Sequence, residues 1–530
     1  MIPKDSDVIV VGSGAAGLTA AICAHDSGAR VTVIERSELI GGTTAVSGGA
    51  AWIPLNHHMA DIGATDTRDE ALAYCKRVTA GQAPDELVET FVDTGHEMLR
   101  YLERETPLRF HVWTMPDYHP HLEGAKWAGR SIEPDLFDKN ELGTWAARLR
   151  PAPLFLFPAT LQEATFDYHA TLKPWNLPPD LLIERMERGI VACGNALIGR
   201  LLKGCLDRGI AIETETRARE LRMERGRVAG LRAERRGERI ALTAQRGVVL
   251  ASGGFEWNER LRAAYLPGPV DHPNSPPGND GDGLVMAQEA GAALGNMGEV
   301  WGTPAAAIPG EEYDGRPLNR LVVAERACPH AILVNAAGRR FVNEGETYNE
   351  LGKSFDQSGN LPCWAIFDAQ YRQRYPLLTV MPGDPDPEWL LRDDNLAGLA
   401  RRAGIDATAL RDTITRWNGY VRDGADPEFG RQRNPIDLEA PHGSMGTIEQ
   451  PPFYALPVYQ GTLGTKGGPV TNSHGQVLDN NGAVIDGLYA AGNVMASVAG
   501  AGYYGGGATI GLAMTWGYLC GRHAAQAART

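Results

Sequence analysis

Four β-branched residues, Val8-Ile9-Val10-Val11, lead straight into Gly12-Ser13-Gly14-Ala15-Ala16-Gly17. A strand, a tight glycine turn and a helix start aim backbone N–H groups and the positive end of a helix dipole at one point. That is a site for a pyrophosphate. Glu35 ends the next apolar run, Arg30 to Glu35, about 20 residues on, where a dinucleotide site places a carboxylate for the ribose hydroxyls. The glycine pattern alone is weak; the flanking strands and the alanine-rich helix complete the unit. Near the other end, Gly487-Leu488-Tyr489-Ala490-Ala491-Gly492-Asn493 and Gly505-Gly506-Gly507-Ala508-Thr509-Ile510-Gly511 add two glycine turns, the second opening a helix Ala508–Ala527.

The elements that must position these turns follow from the pattern between them. Residues up to about 55 form the first βαβ unit and the loop Gly41–Gly49. Residues 90–185 are rich in Pro and Trp and read as an irregular insertion with some helices. From Gly209 to Leu250 come short alternating strands, with the arginines of Arg217–Arg239 interleaved with Glu215, Glu220, Glu224, Glu234 and Glu238. Such alternation is the solvated face of β-hairpins, not a basic patch. They end in a buried strand, Gly247–Ala251, and the turn Ser252-Gly253-Gly254, so a β-meander returns to a parallel sheet. Gly278–Gly283 opens a helix Leu284–Ala290. Beyond residue 305 the pattern changes to extended runs (Ala331–Val334, Trp364–Phe367) and a helix Ala407–Asp423. The expected fold is α/β: a Rossmann-like FAD-binding domain with a β-meander (1–304 and 456–530), carrying an inserted α+β substrate or lid domain (305–455).

Composition narrows the function classes. A chain of 530 residues with 43% hydrophobic content builds a large core. A net charge of −14 excludes nucleic acid and anionic membrane surfaces as partners. No apolar run reaches the ~20 residues of a membrane span, and Met1–Asp5 runs directly into the first strand, leaving no room for a signal peptide. The seven cysteines are scattered without a CxxC pair, which gives no zinc, iron–sulfur or haem framework and points to a reduced, cytoplasmic protein. His57-His58 and His119-Pro120-His121 have no carboxylate or cysteine beside them in sequence, so no metal is expected.

With these residues in hand, the chain resembles the fumarate-reductase/3-ketosteroid-dehydrogenase superfamily of FAD enzymes along essentially its whole length. The motifs are Gly12–Gly17, Gly41–Gly49, Ser252-Gly253-Gly254, Asp280-Gly281-Asp282-Gly283, Phe341-Val342-Asn343-Glu344 and Ala490–Gly511. Respiratory members attach flavin to a histidine after the Gly-Gly loop; here Gly42-Thr43-Thr44-Ala45-Val46-Ser47 stands there, which implies non-covalent FAD. Fumarate reductases place an arginine where this chain has Tyr348, and the 3-ketosteroid Δ1-dehydrogenases place a tyrosine. Leu463–Gly468, Tyr503 and Gly507–Gly511 also match that second group, and Pro116-Asp117-Tyr118-His119-Pro120 resembles the segment of its first active-site tyrosine. One departure touches the substrate wall: Tyr504-Gly505-Gly506-Gly507 replaces Pro-Gly-Pro-Gly.

The resemblance implies a cofactor site and a chemistry. FAD is held by Gly12, Gly14, Ala15, Ala16, Gly17, Glu35 and Arg36, and by Gly42, Thr43, Thr44, Ser47, Gly48 and Gly49. Ala218, Ala251, Ser252, Gly253 and Asp282 add to it from the middle of the chain, and Gly492, Asn493, Ala508, Thr509 and Ile510 from its end. Removing two hydrogens beside a ketone requires a polarised carbonyl, a base for the α-proton and a hydride acceptor. Tyr503 and the Gly507 N–H are the implied oxyanion donors, Tyr348 the base, and Tyr118 the hydroxyl that lowers its pKa by bonding the phenolate. The implied substrate is a cyclic ketone, foremost a 3-ketosteroid. Alternatives are a smaller oxo-acid such as 4-oxocyclohexanecarboxylate, or a flavin reductase running in the opposite direction. An external acceptor, quinone-like or oxygen, takes the electrons.

Overall fold

The computed structural model describes residues 5–155, 157–433 and 444–529; the start Met1–Lys4 lies outside them. The Asp5–Val11 strand is apolar on both faces from Val8 onward, the pattern of a strand covered on both sides. It lies between Glu238–Leu250 and Val31–Ile34 and runs parallel to both. Ala211–Glu213 and Val484–Ala490 extend the sheet in parallel, and Gln476–Leu478 closes one edge antiparallel. The register aligns Val11 with Ile34 and Leu250, and Leu250 with Ala490. Four strands therefore stop on one line, and the chain leaves it through Gly12, Glu35, Ala251 and Ala491. In parallel sheets that line of carboxyl ends is where ligands bind.

Two helices cover the sheet beside this line. Ala15–Asp26 packs along Ala508–Gln526, and both bury faces of small residues that let the backbones approach. The second helix ends one residue before the position expected from sequence. The arginine-rich stretch forms the meander Thr216–Glu224, Arg227–Arg235, Glu238–Leu250, joined by two-residue turns. Its cross-strand pairs, Arg219–Glu234 and Arg232–Glu220, are exposed and contribute little to stability.

A second sheet centres on two long antiparallel strands, Val300–Tyr313 and Phe453–Thr465. Its order is Arg316–Leu321, Val300–Tyr313, Phe453–Thr465, Cys363–Asp368, Ala331–Asn335, with His272-Pro273 and Leu391–Asp393 also pairing to Phe453–Thr465. Helix Ala407–Asp423 packs Leu410, Ile414 and Trp417 onto one face of it. On the other face Leu351 and Phe355 of helix Tyr348–Phe355 join Leu333 and Phe367. Both long strands cross residues 304/305 and 455/456, so hydrogen-bonded ladders span the positions where the sequence pattern changes.

A pair of helices comes next, Arg68–Thr79 and the amphipathic Asp85–Glu105, and the Pro- and Trp-rich stretch expected over 90–185 begins inside the second of them. The first opens with a Thr67/Glu70 capping box, a device that contributes about 1 kcal/mol. Ala51-Trp52, Ser131–Pro134 and Phe110–Val112 then pair as a small sheet. That sheet carries the loop on which Tyr118 stands.

Candidate active site

One cavity of about 940 Å³ opens along the line of strand ends and continues between the two sheets. At its nucleotide end Gly12 has φ +109°, and a Cβ there would overlap the Ala251 carbonyl oxygen. Only glycine fits, and the turn lets Gly14 cap the Ala15–Asp26 helix with its N–H groups facing the cavity. Glu35 accepts from Ser13 N at 3.1 Å, Ser13 Oγ at 2.7 Å and Ser37 N at 2.9 Å. It thereby braces the glycine turn as well as facing the cavity. Arg36 pairs with Asp280 at 2.6 Å, and Arg217 holds Asp282 with two bonds of 2.7 Å.

At the other end three tyrosines meet. Tyr118 Oη and Tyr348 Oη lie 3.0 Å apart, Tyr348 Oη and Tyr503 Oη 3.0 Å, and Thr509 Oγ1 lies 3.3 Å from Tyr503 Oη. The three rings pack edge to face with centroids 5.1–5.6 Å apart. Burial raises all three phenols above the ordinary tyrosine value, and Tyr348 stands well above it, with Tyr118 adding to the rise instead of lowering it as expected from sequence. Tyr348 is the first residue of its helix, with Thr347 as the cap. Tyr503 lies four residues before Gly507, the N-cap of Ala508–Gln526. Gly507 has φ +97°, and a Cβ there would sit 2.5 Å from the Ala50 carbonyl.

The hydroxyl chain is held from behind by buried polar groups. Asp117 accepts from Trp52 Nε1 at 2.7 Å, Arg130 Nη1 at 2.7 Å and Lys126 N at 2.8 Å. Burial pushes its carboxyl up to about 6 against these donors. A backbone bond from Tyr118 N to Tyr504 O ties that loop to the Tyr503 loop, and the Tyr74 hydroxyl, from helix Arg68–Thr79, donates to the same Tyr504 oxygen. Lys466 Nζ donates to the carbonyls of Ala501 (3.0 Å) and Gly502 (2.8 Å), just before Tyr503. It also lies 4.2 Å from the Trp301 ring centre, and Trp301 packs on Tyr503. Burial pulls this lysine down to about 7. Arg326 donates to the carbonyls of Val323 and Glu346 and so clamps the loop that leads into Tyr348.

Of the residues singled out from sequence, all but Gly17 and Ala508 line this cavity. Gly17 stands behind the turn, where a Cβ would overlap the Gly12 carbonyl oxygen. Ala508 is buried at the first turn of its helix, with its N–H bonded to Gly505 O. Sequence reasoning missed Ser13, Asn279, Trp113 and Arg326, which also line the cavity. Asn279 bridges Thr43 Oγ1 (2.9 Å) and Glu256 Oε1 (2.6 Å), and its place in Gly278–Gly283 was a usable signal. Trp113 had none: its indole lies against Gly506, in space that a Cβ at that residue would fill.

A parallel sheet opening on a glycine-lined cavity with buried hydroxyl donors at its far end defines a dinucleotide-cofactor oxidoreductase. The chain belongs to the FAD binding domain family, which matches residues 7–510, and is an FAD-dependent oxidoreductase of the fumarate reductase/succinate dehydrogenase flavoprotein superfamily. It is 41% identical to 4-oxocyclohexanecarboxylate 2-dehydrogenase of Sinomonas cyclohexanicum, over 97% of this chain and 92% of that one. It is 36% identical to 3-oxosteroid 1-dehydrogenase of Mycolicibacterium smegmatis, over 98% and 97%. Among solved structures, 3-ketosteroid Δ1-dehydrogenase from Sterolibacterium denitrificans in complex with 1,4-androstadiene-3,17-dione superposes with a TM-score of 0.93. That match has 36% identity and covers 99% of this chain and 100% of the other. The Gly12 cradle and the helix N-terminus at Gly14 fit the FAD pyrophosphate, and the cavity continues from them to the tyrosines.

Proposed function

We propose that this enzyme desaturates a cyclic ketone at the α,β position, foremost a 3-ketosteroid, with FAD held non-covalently. The observation that carries this reading is the hydroxyl chain Tyr118–Tyr348–Tyr503–Thr509 ending beside the helix cap Gly507. FAD, when bound, supplies the N5 position that accepts a hydride from the β-carbon. The chain's own residues do the rest. The Tyr503 hydroxyl and the Gly507 N–H donate to the ketone oxygen and stabilise the enolate that forms. Tyr348, as its phenolate, takes the α-proton and becomes the phenol, and the bond donated by Tyr118 steadies the phenolate before the transfer. Neutral tyrosines suit an apolar ketone, because an unpaired buried charge would be costly. Leu154, Leu161, Leu172 and Phe157 line the outer cavity and receive the remainder of the substrate, while residues 305–455 bring Tyr348 and Arg326 over it. The electrons leave to an external acceptor, quinone-like or oxygen.

A second reading keeps this chemistry and shrinks the substrate to a cyclic oxo-acid. Trp113 favours it: the indole fills the space beside Gly506 that a proline would occupy, next to the carbonyl donors. Arg326 is a cation on the same wall. Anaerobic titration of the oxidised flavin band with ketones of graded size tests both readings. Bleaching by 1,4-androstadiene precursors or by 4-oxocyclohexanecarboxylate is the expected result, and no bleaching by any cyclic ketone overturns the proposal. Trp113→Ala should shift the kcat/KM ratio toward the steroid by about tenfold or more. An unchanged ratio removes Trp113 from the substrate wall.

A further inference from the structure

At the C-terminal end of the long helix Asp85–Glu105, two histidines and a carboxylate converge. His57 and His58 begin the short helical turn His57–Ile62 that follows the Ala51-Trp52 strand, and Glu103 lies in the last turns of Asp85–Glu105. His57 Nε2 lies 3.0 Å from Glu103 Oε2, and His58 Nε2 lies 2.9 Å from Glu103 Oε1. The candidate ligand atoms of all three residues lie within 4.8 Å of one another. We propose that His57, His58 and Glu103 form a binding site for one divalent transition metal ion of the zinc class.

Two observations support this beyond proximity. First, the two His–Glu separations, 3.0 and 2.9 Å, come near the roughly 3.3 Å edges of a tetrahedron with bonds of about 2.0–2.1 Å. Second, the outer partners are those that orient metal ligands. His58 Nδ1 faces Asp61 Oδ2 at 3.3 Å while its Nε2 faces Glu103, and Phe110 N fixes Glu103 Oε1 at 3.0 Å. Two imidazoles and one carboxylate suit Zn²⁺, Co²⁺ or Ni²⁺ rather than Ca²⁺ or Mg²⁺. His57 is partly exposed, so solvent ions reach the site, and a fourth position is left for water.

An ion there would join the turn after Trp52 to the long helix. Trp52 lies under Gly505, where a Cβ would come within 2.5 Å of the indole. Occupancy is therefore expected to stiffen the support of the catalytic loop without touching substrate.

The test uses the FAD-loaded protein, dialysed against chelator and titrated with ZnCl₂ by calorimetry, with bound zinc counted by elemental analysis. The expected result is one zinc per chain and a raised Tm, with affinity falling at least tenfold in His57→Ala and in His58→Ala. Glu103→Gln, which keeps the side-chain shape, should weaken binding likewise if the alanine variants fold poorly. No stoichiometric binding, or binding of equal strength in Glu103→Gln, overturns the proposal.

Discussion

Tyr348→Phe should slow flavin bleaching by the ketone by about 10²–10⁴, the contribution of a positioned general base, while leaving FAD content unchanged. Tyr348 is the middle member of the hydroxyl chain, 3.0 Å from both Tyr118 and Tyr503. Phenylalanine keeps the ring and its edge-to-face contacts with both neighbours. It leaves two buried hydroxyls short of a partner, a cost of about 1–3 kcal/mol in stability. The pH dependence follows from burial. Tyr348 acts as a base only when deprotonated, and its pKa lies above the ordinary tyrosine value, so the reactive fraction grows as pH rises. The bleaching rate of the wild type should climb across the range from pH 7 toward about 10, the ordinary tyrosine value, and the climb should vanish in Tyr348→Phe. Stopped-flow reduction at several pH values measures both. A variant that keeps a tenth or more of the wild-type rate would remove Tyr348 from the role of base.

The cofactor end of this site was legible because its chemistry is carried by backbone. A positive φ at Gly12 and a helix beginning at Ala15 need glycine and small residues in fixed order, and that order is local in sequence. The tyrosines were legible only through family resemblance, because nothing beside Tyr118 in sequence says that residues 230 and 385 positions further on will meet it. The same distance hid the supports. Lys466 caps carbonyls at Ala501 and Gly502, and Glu103 meets His57 and His58 from a helix more than forty residues away. Only Asp61, three residues on from His58, was a partner within reach in sequence. The edges of the second sheet were hard to read because Val300–Tyr313 and Phe453–Thr465 are each one unbroken strand.

Tyr503→Phe should cost about 10²–10³ in kcat, the usual loss for one oxyanion donor, or about 2.7–4 kcal/mol of transition-state stabilisation. The Tyr503 hydroxyl sits between Tyr348 Oη and Thr509 Oγ1. Its loss therefore removes a donor to the enolate oxygen and also a neighbour of the base. These two effects separate in a double-mutant cycle. If Tyr503 acts only on the carbonyl, its loss and that of Tyr348 fall on different atoms and their costs add. If the shared hydrogen bond matters, Tyr348→Phe/Tyr503→Phe loses less than the sum, because each single change already breaks that bond. The 3.0 Å contact favours the second outcome. Exchange of the ketone α-hydrogens in D₂O reads enolisation directly and should slow in parallel with bleaching in Tyr503→Phe. Exchange at the wild-type rate with slow bleaching would mean that Tyr503 only positions the ring carbon that loses the hydride, and the oxyanion role would pass to Gly507 alone.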